Sequence, residues 1–308
     1  MKHLTKSEIR KHHFLEKYVV IAPKRNLRPD TFRDCKVLAT DPKVCPFCHP
    51  DRSDVAHTIK NNDGDWIIKV IKNKFPAISV NNPRAYGRQE VIIETNQHIE
   101  NSELSIAQLV RILDVYIERT KAFYETPHIK YVAIFKNQGG RAGASISHAH
   151  SQMFGLSLVP PDIVEELQAT SELNLNGICP DCEQLKAESR EQRRVIYKDD
   201  YVVAFCPFAS FAPYEVKIIP IKHHPTLETL NQEEKTSLAR SIKLATTKLD
   251  QLGIAYNYFV HGTTKTENSH MHIKIDPRPN TWGGLELSSG IIINPVAPED
   301  AAHTYRLG

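Results

Sequence analysis

No apolar run in the 308 residues approaches the length of a membrane span, so a membrane-spanning helix is not expected. The opening stretch, MKHLTKSEIRKHHF, lacks the apolar core that a secretory peptide needs, and the expected compartment is the cytoplasm. Neither charge is in excess, with 39 Lys and Arg against 36 Asp and Glu. Such a balance lacks the electrostatic footprint of a nucleic-acid binder, although a local basic spot can still hold a phosphate. Apolar residues make up 41% of the chain, enough for one large or two medium domains with buried cores.

Cysteine is also sparse, yet four of the six fall in two C-x-x-C pairs: Cys45/Cys48 in VCPFCHP and Cys179/Cys182 in ICPDCEQ. In a reducing compartment such pairs are metal-binding or redox motifs more often than disulfides. They head two series that follow the same order. The first runs from Cys45/Cys48 through the alternating DWIIKVIKNKFPAISV and RQEVIIET to His98, then a helix pattern, the strand-like YVAIFKN and His148-Ala149-His150. The second runs from Cys179/Cys182 through RVIYKDDYVVAFCPF and YEVKIIPI to His223, then a helix pattern, YNYFVHG and His270-Met271-His272. An ordered series occurring twice marks an internal repeat.

Ser105 and Gln108 read as N-cap and N3 of a capping box, with Leu104 and Leu109 as a hydrophobic staple. Asn231 and Glu234 read as the analogous cap in the second series. Runs rich in Val, Ile, Tyr and Phe, broken by Asn, Pro and Gly, read as strands. The expected fold class is α+β, with tandem halves, each a mainly antiparallel sheet with one long helix. The boundary is expected where Pro160-Pro161 interrupts the pattern, giving 1–160 and 161–308.

Zinc in a structural role favours thiolate and imidazole in a closed tetrahedron. The repeat nominates Cys45, Cys48, His98 and His148 for one site, and Cys179, Cys182, His223 and His270 for a second. A metal-free buried or redox pair is the alternative in each case, and His224 competes with His223. The ligands are too far apart for an ordinary zinc finger.

If 146–154 is a strand, residues 148, 150 and 152 share one face. A metal on His148 would then place His150 and Gln152 side by side. A neutral imidazole held in one tautomer is a good nucleophile near pH 7. Attack at phosphorus also needs donors for the non-bridging oxygens. The preceding GGRAGAS offers backbone amides, the Ser145 hydroxyl and Arg141, and Gln152 adds an amide. The plainer alternative is a pair of core or metal-binding histidines after a flexible loop.

Taken with YVVIAPKRNLRP, CPFC, NKFPA, EVIIETNQH, FKNQGGRAGASISHAHSQ, PYEVKIIPIKHH and GGLELSSGIIINPVAPEDAAHTYR, these motifs give a chain that resembles the galactose-1-phosphate uridylyltransferase family of the histidine-triad superfamily. The resemblance implies two histidine-triad-like halves, a homodimer, and zinc on Cys45, Cys48, His98 and His148. It implies His150 as nucleophile, with Gln152 and Ser145 binding phosphate. Arg25 and Arg28 match arginines near the nucleotide phosphates, Asn73 lies in the nucleoside-pocket segment, and Asn137 starts the phosphoryl loop. Glu286 matches a residue contacting the hexose. Glutamine at 152, where simple histidine-triad hydrolases carry a third histidine, is typical of the transferase branch.

The implied activity is transfer of a nucleoside monophosphate from a nucleoside-diphosphate sugar to a hexose 1-phosphate through a nucleotidyl-histidine, of the UDP-glucose–hexose-1-phosphate uridylyltransferase type in galactose metabolism. The sequence departs from the uridylyltransferases at Ala149, in place of a usual proline, and at Lys74, in place of a usual acid. The terminal LSSGIIINPVAPEDAA and the second CPDC pair resemble the ADP-glucose phosphorylase branch, in which phosphate is the acceptor, and ADP-sugar phosphorolysis is the alternative activity. A silent zinc-stabilised nucleotide-binding protein is the alternative from another class.

Overall fold

A computed structural model describes residues 6–27, 41–51, 54–174, 177–262 and 269–307. Thirteen strands and six α-helices occur among them. They are β1 (Glu8–Lys11), β2 (Tyr18–Ile21), β3 (Val55–Lys60), β4 (Trp66–Lys72), β5 (Gly87–Ile93), α1 (Ile106–Tyr124), β6 (Tyr131–Gln138) and β7 (His150–Leu156). There follow α2 (Pro161–Asn174), α3 (Pro180–Glu191), β8 (Val195–Lys198), β9 (Val202–Phe205), β10 (Val216–Pro220), α4 (Gln232–Gln251) and β11 (Tyr256–His261). The chain closes with β12 (His272–Pro277), α5 (Gly284–Ser289), β13 (Ile292–Asn294) and α6 (Pro298–Arg306).

Ten strands form one antiparallel sheet in the order β3-β4-β5-β7-β6-β11-β12-β10-β9-β8. Five come from each histidine-triad-like half, and the halves join edge to edge where β6 pairs with β11. A smaller sheet, β1-β2-β13, ties the two chain ends together. The long helices α1 and α4 pack against each other and share one continuous core with the sheet. Strand alternation sorts the residues. Val132 and Ile134 of β6 and Met153 of β7 enter that core, while Phe135, Asn137 and Gln152 are only half-buried. The second face therefore carries Asn137 and Gln152.

The caps differ in one respect from the sequence expectation. Ser105 accepts from the Gln108 amide at 3.1 Å, as expected. The Gln108 side chain does not close the box. It reaches away to the carbonyls of Glu94 (2.5 Å) and Ile67 (3.2 Å), stapling α1 to the sheet, because those inter-strand carbonyls lie within its reach. The Asn231–Glu234 box closes in both directions, each bond at 2.8 Å. Pro161 opens α2 where the sequence shows only an interruption, consistent with proline's tolerance for the first helical turn. Cys179 caps α3, with Pro180 at its start and Asp181 and Glu183 complementing the helix dipole. No helix among the described residues is long and apolar enough to cross a membrane.

Candidate active site and metal centres

The C-P-F-C turn brings Cys45 and Cys48 against two histidines distant in sequence. Cys48 Sγ lies 3.3 Å from His98 Nδ1 and 3.5 Å from His148 Nδ1, and Cys45 Sγ lies 3.7 Å from His148 Nδ1. A tetrahedral zinc, with arms of about 2.3 Å to sulfur and about 2.05 Å to nitrogen, separates S and N ligands by roughly 3.6 Å. The three observed spacings are compatible with the S–N edges of such a tetrahedron. His148 Nε2 donates to the Thr95 carbonyl at 2.9 Å, which leaves Nδ1 as the lone pair facing the thiolates.

The second series builds the same figure. Cys182 Sγ lies 3.4 Å from His223 Nδ1 and 3.5 Å from His270 Nδ1, and the four ligand atoms with Cys179 lie within 4.8 Å of one another. Both Cys/His groups are compatible with zinc. His224 turns elsewhere. Its Nε2 meets Glu234 at 2.9 Å and its Nδ1 meets Thr229 at 2.9 Å, so it belongs to the α4 cap.

His150 opens β7 beside the first group. Its Nδ1 donates to the His148 carbonyl at 2.8 Å, leaving Nε2 as the basic nitrogen. Burial pushes its pKa below the ordinary histidine value and Lys136 adds to this, while the His148 carbonyl pulls the other way. The ring is therefore neutral at physiological pH. Phe47, from between the two cysteines, packs on it at 4.9 Å between centroids. The C-P-F-C turn and the imidazole thus form one packed unit. Behind them, on the core side, Lys136 pairs with Glu94, both fully buried. Glu94 also accepts from the Tyr116 hydroxyl at 3.2 Å, and its amide donates to the Ala149 carbonyl at 3.1 Å. This pair pins the backbone between the two histidines.

The loop before the histidines is more self-contained than the sequence implies. Gly139 and Gly143 take φ of +83° and +85°, a region open to glycine. The chain closes on itself: Ala142 and Ala144 donate to the Gly139 carbonyl at 3.1 and 3.2 Å, and Gly143 to Gly140 at 3.0 Å. Those three amides serve the loop itself rather than a ligand. Ser145 is exposed, and Arg141 turns to the Pro279 carbonyl. Asn137 Oδ1 accepts from Asn257 at 2.8 Å.

Arg25, Arg141, Arg278, Trp282 and Glu286 line one cleft of about 360 Å³. His150 is not among its lining residues. Within it Arg278 pairs with Asp276 at 3.2 Å, and Glu286 caps its own helix by accepting from Gly283 at 2.9 Å. Asn73 holds its local turn, accepting from the Phe75 amide at 2.8 Å. Arg28 lies outside the described residues.

The sequence reading missed three features. Phe47 stands inside the quoted motif, but its contact with His150 has no sequence signal. Asn257 was read only as part of a strand. Glu166, His261 and His272 bring three further ligand atoms within 4.8 Å, from α2, β11 and β12, with no common motif.

A curated relative, the ADP-glucose phosphorylase of Arabidopsis thaliana, is 31% identical over 97% of this chain and 92% of its own. The chain belongs to the galactose-1-phosphate uridylyltransferase family. The family enzymes are of the nucleotidyl-transfer type. The galactose-1-phosphate uridylyltransferase of Thermotoga maritima is 27% identical over 79% of this chain and 85% of its own. A family model described as the N-terminal domain of DUF4931, a domain of unknown function, matches residues 31–159. A HIT domain model matches residues 188–275. The crystal structure of an Arabidopsis thaliana ADP-glucose phosphorylase with bound ADP-glucose superposes with a TM-score of 0.85 at 30% identity, covering 99% of each chain. A uridylyltransferase structure gives 0.76 at 26% identity, covering 97% of each.

Proposed function

We propose that this family member is a nucleotidyltransferase working through a covalent histidine, with an ADP-sugar as donor and inorganic phosphate as acceptor. The observation that carries the chemistry is the His150 imidazole, neutral and fixed in one tautomer by the His148 carbonyl. Nε2 attacks the α-phosphorus and forms a P–N bond. The bond to the bridging oxygen breaks, and sugar 1-phosphate leaves with the electron pair. Nδ1 keeps its proton on the His148 carbonyl throughout. A phosphate oxygen then attacks the same phosphorus, the P–N bond breaks, and neutral His150 returns with release of the nucleoside diphosphate. Gln152 and Ser145 supply donors to the non-bridging oxygens, where charge grows in the transition state.

Zinc on the two Cys/His groups would order the fold. Each group offers four protein ligands, which leaves no open position for activating water. The first group would also hold His150, through His148 and Phe47.

Two observations favour the adenylyl reading over the uridylyl one. The second Cys/His group is fully assembled, and the Arabidopsis thaliana phosphorylase is similar along almost the whole chain. Uridylyl transfer to a hexose 1-phosphate is the second reading, supported by the Thermotoga maritima relative. The test is intact mass under non-acidic conditions after separate incubation with ADP-glucose and UDP-glucose. An adenylyl adduct supports the phosphorylase, and a uridylyl adduct moves the assignment to the second reading. No adduct with either donor, and no exchange of label between donor and sugar 1-phosphate, overturns both.

A further inference from the structure

Asn137 and Asn257 face each other across the seam between β6 and β11. The Asn257 amide nitrogen donates to Asn137 Oδ1 and to the Ala142 carbonyl, both at 2.8 Å. A primary amide has two N–H bonds, so both are spent on the segment that leads to His150. The Asn257 oxygen accepts from Arg278 Nε, also at 2.8 Å. This set fixes which way the amide faces. Reversing it would put an amide nitrogen against a guanidinium, donor against donor, and an oxygen against two acceptors.

The consequence passes to Asn137. Its oxygen is held by Asn257, so its own amide nitrogen is left free of that bond and lies against Gly143, 3.6 Å from where a Cβ would stand. Arg278 reaches the other way. It lines the 360 Å³ cleft and pairs there with Asp276. One chain of charged and amide groups therefore runs from the cleft to the loop: Arg278, Asn257, then Asn137 and Ala142. Asn257 is 7% exposed and shielded from competing water, which strengthens each of these bonds.

We propose that Asn257 is a positioning residue for nucleotidyl transfer. It is a strut from the C-terminal half that sets the Asn137 amide and the 139–145 loop for the phosphoryl group, and Arg278 ties that strut to the wall of the cleft it lines. The proposal rests on the transferase reading above for its kinetic consequence but not for its structural one. Small displacements of positioning groups cost rate more than affinity.

Asn257→Asp is the selective variant. It keeps the shape and the bond from Arg278, but loses both donations and sets oxygen against oxygen. The rate of adduct formation from ADP-glucose should fall about 100-fold, while donor affinity and metal content stay close to wild type and the melting temperature falls by only a few degrees. Amide hydrogen exchange in 139–145 should quicken in Asn257→Asp and nowhere else. An adduct rate within threefold of wild type overturns the proposal, as does a slowing matched by lost metal, by weaker donor binding or by unfolding at the assay temperature. If the wild-type protein forms no adduct with any donor, the transferase reading fails and exchange alone decides. Unchanged exchange in 139–145 then overturns the strut as well.

Discussion

His150 and His272 occupy corresponding places in the two halves, and the backbone treats them alike. Each ring donates Nδ1 to the carbonyl two residues back, at 2.8 Å to His148 and 3.1 Å to His270. Each follows a histidine that faces a C-x-x-C pair. The surroundings differ. His150 is followed on its strand face by the neutral Gln152, and a glycine loop with Ser145 precedes it. His272 is followed by Lys274, which pairs with Glu215 at 3.3 Å. Its ring stacks on His261 at 4.5 Å, and Glu166 meets His261 at 3.4 Å. The cavity there holds about 30 Å³, room for a water molecule and no nucleotide. Glu166 and Asp181 line it, and carboxylates repel a phosphate. On the proposed reading, the same H-x-H device would serve nucleophile chemistry where Gln152 and the glycine loop adjoin it, and internal packing where Lys274, His261 and Glu166 close over it.

The comparison predicts opposite outcomes for one substitution. His150→Asn should abolish the covalent adduct, a loss of at least about 10⁴-fold, as expected on removing a nucleophile. His272→Asn should leave the adduct rate, per folded molecule, within about threefold. Rapid-quench measurement of adduct formation checks both. An equally deep loss in His272→Asn would break the distinction between the two halves.

The two Cys/His groups sharpen the same contrast at smaller amplitude. Untagged protein should contain about two zinc ions per chain, and Cys45→Ser or Cys179→Ser should each remove one. Cys45→Ser should also slow adduct formation about 100-fold, because Phe47 rides on the turn that packs His150. Cys179→Ser should lower stability and leave the adduct rate nearly unchanged, since α3 covers the other half of the sheet. Elemental analysis paired with adduct kinetics tests this. Equal kinetic losses in the two variants would mean that the metals act on the reaction alike.

Much of this was legible beforehand, for a physical reason. Cys/His series and capping residues carry identity, spacing and order, so the repeat nominated both Cys/His groups and the H-x-H pair. The strand-like YVAIFKN was equally readable. Contacts between elements were not. Gln108 fits a capping box by type, yet the nearby carbonyls of Glu94 and Ile67 capture its side chain. Asn257 is an ordinary strand residue until β6 is laid beside β11. The Glu166, His261 and His272 group comes from three elements with no shared spacing. The choice between His223 and His224 needed the direction of each ring, which sequence does not encode.

The smallest effect concerns the line where the halves meet. Asp250 sits near the C-terminal end of α4, where the helix dipole disfavours a negative charge. Burial raises its pKa to about 6; the Ser102 side chain opposes the rise, Glu100 reinforces it, and Lys136 and the Ser102 amide oppose it again. One carboxyl oxygen is buried without a partner among the described residues. An unfolded aspartate titrates near 4. Between about pH 4 and 6 the folded state therefore binds more protons than the unfolded one, and stability falls as pH rises through that window. Above it the penalty is complete. Asp250→Asn keeps the shape without the charge, so it should have little effect near pH 4 and stabilise the protein by about 1–2 kcal/mol near pH 7.5. Urea unfolding at the two pH values measures the difference. Equal changes at both would mean that Asp250 ionises in the folded protein as freely as in water, and that the contact between the halves is wetter than its burial indicates.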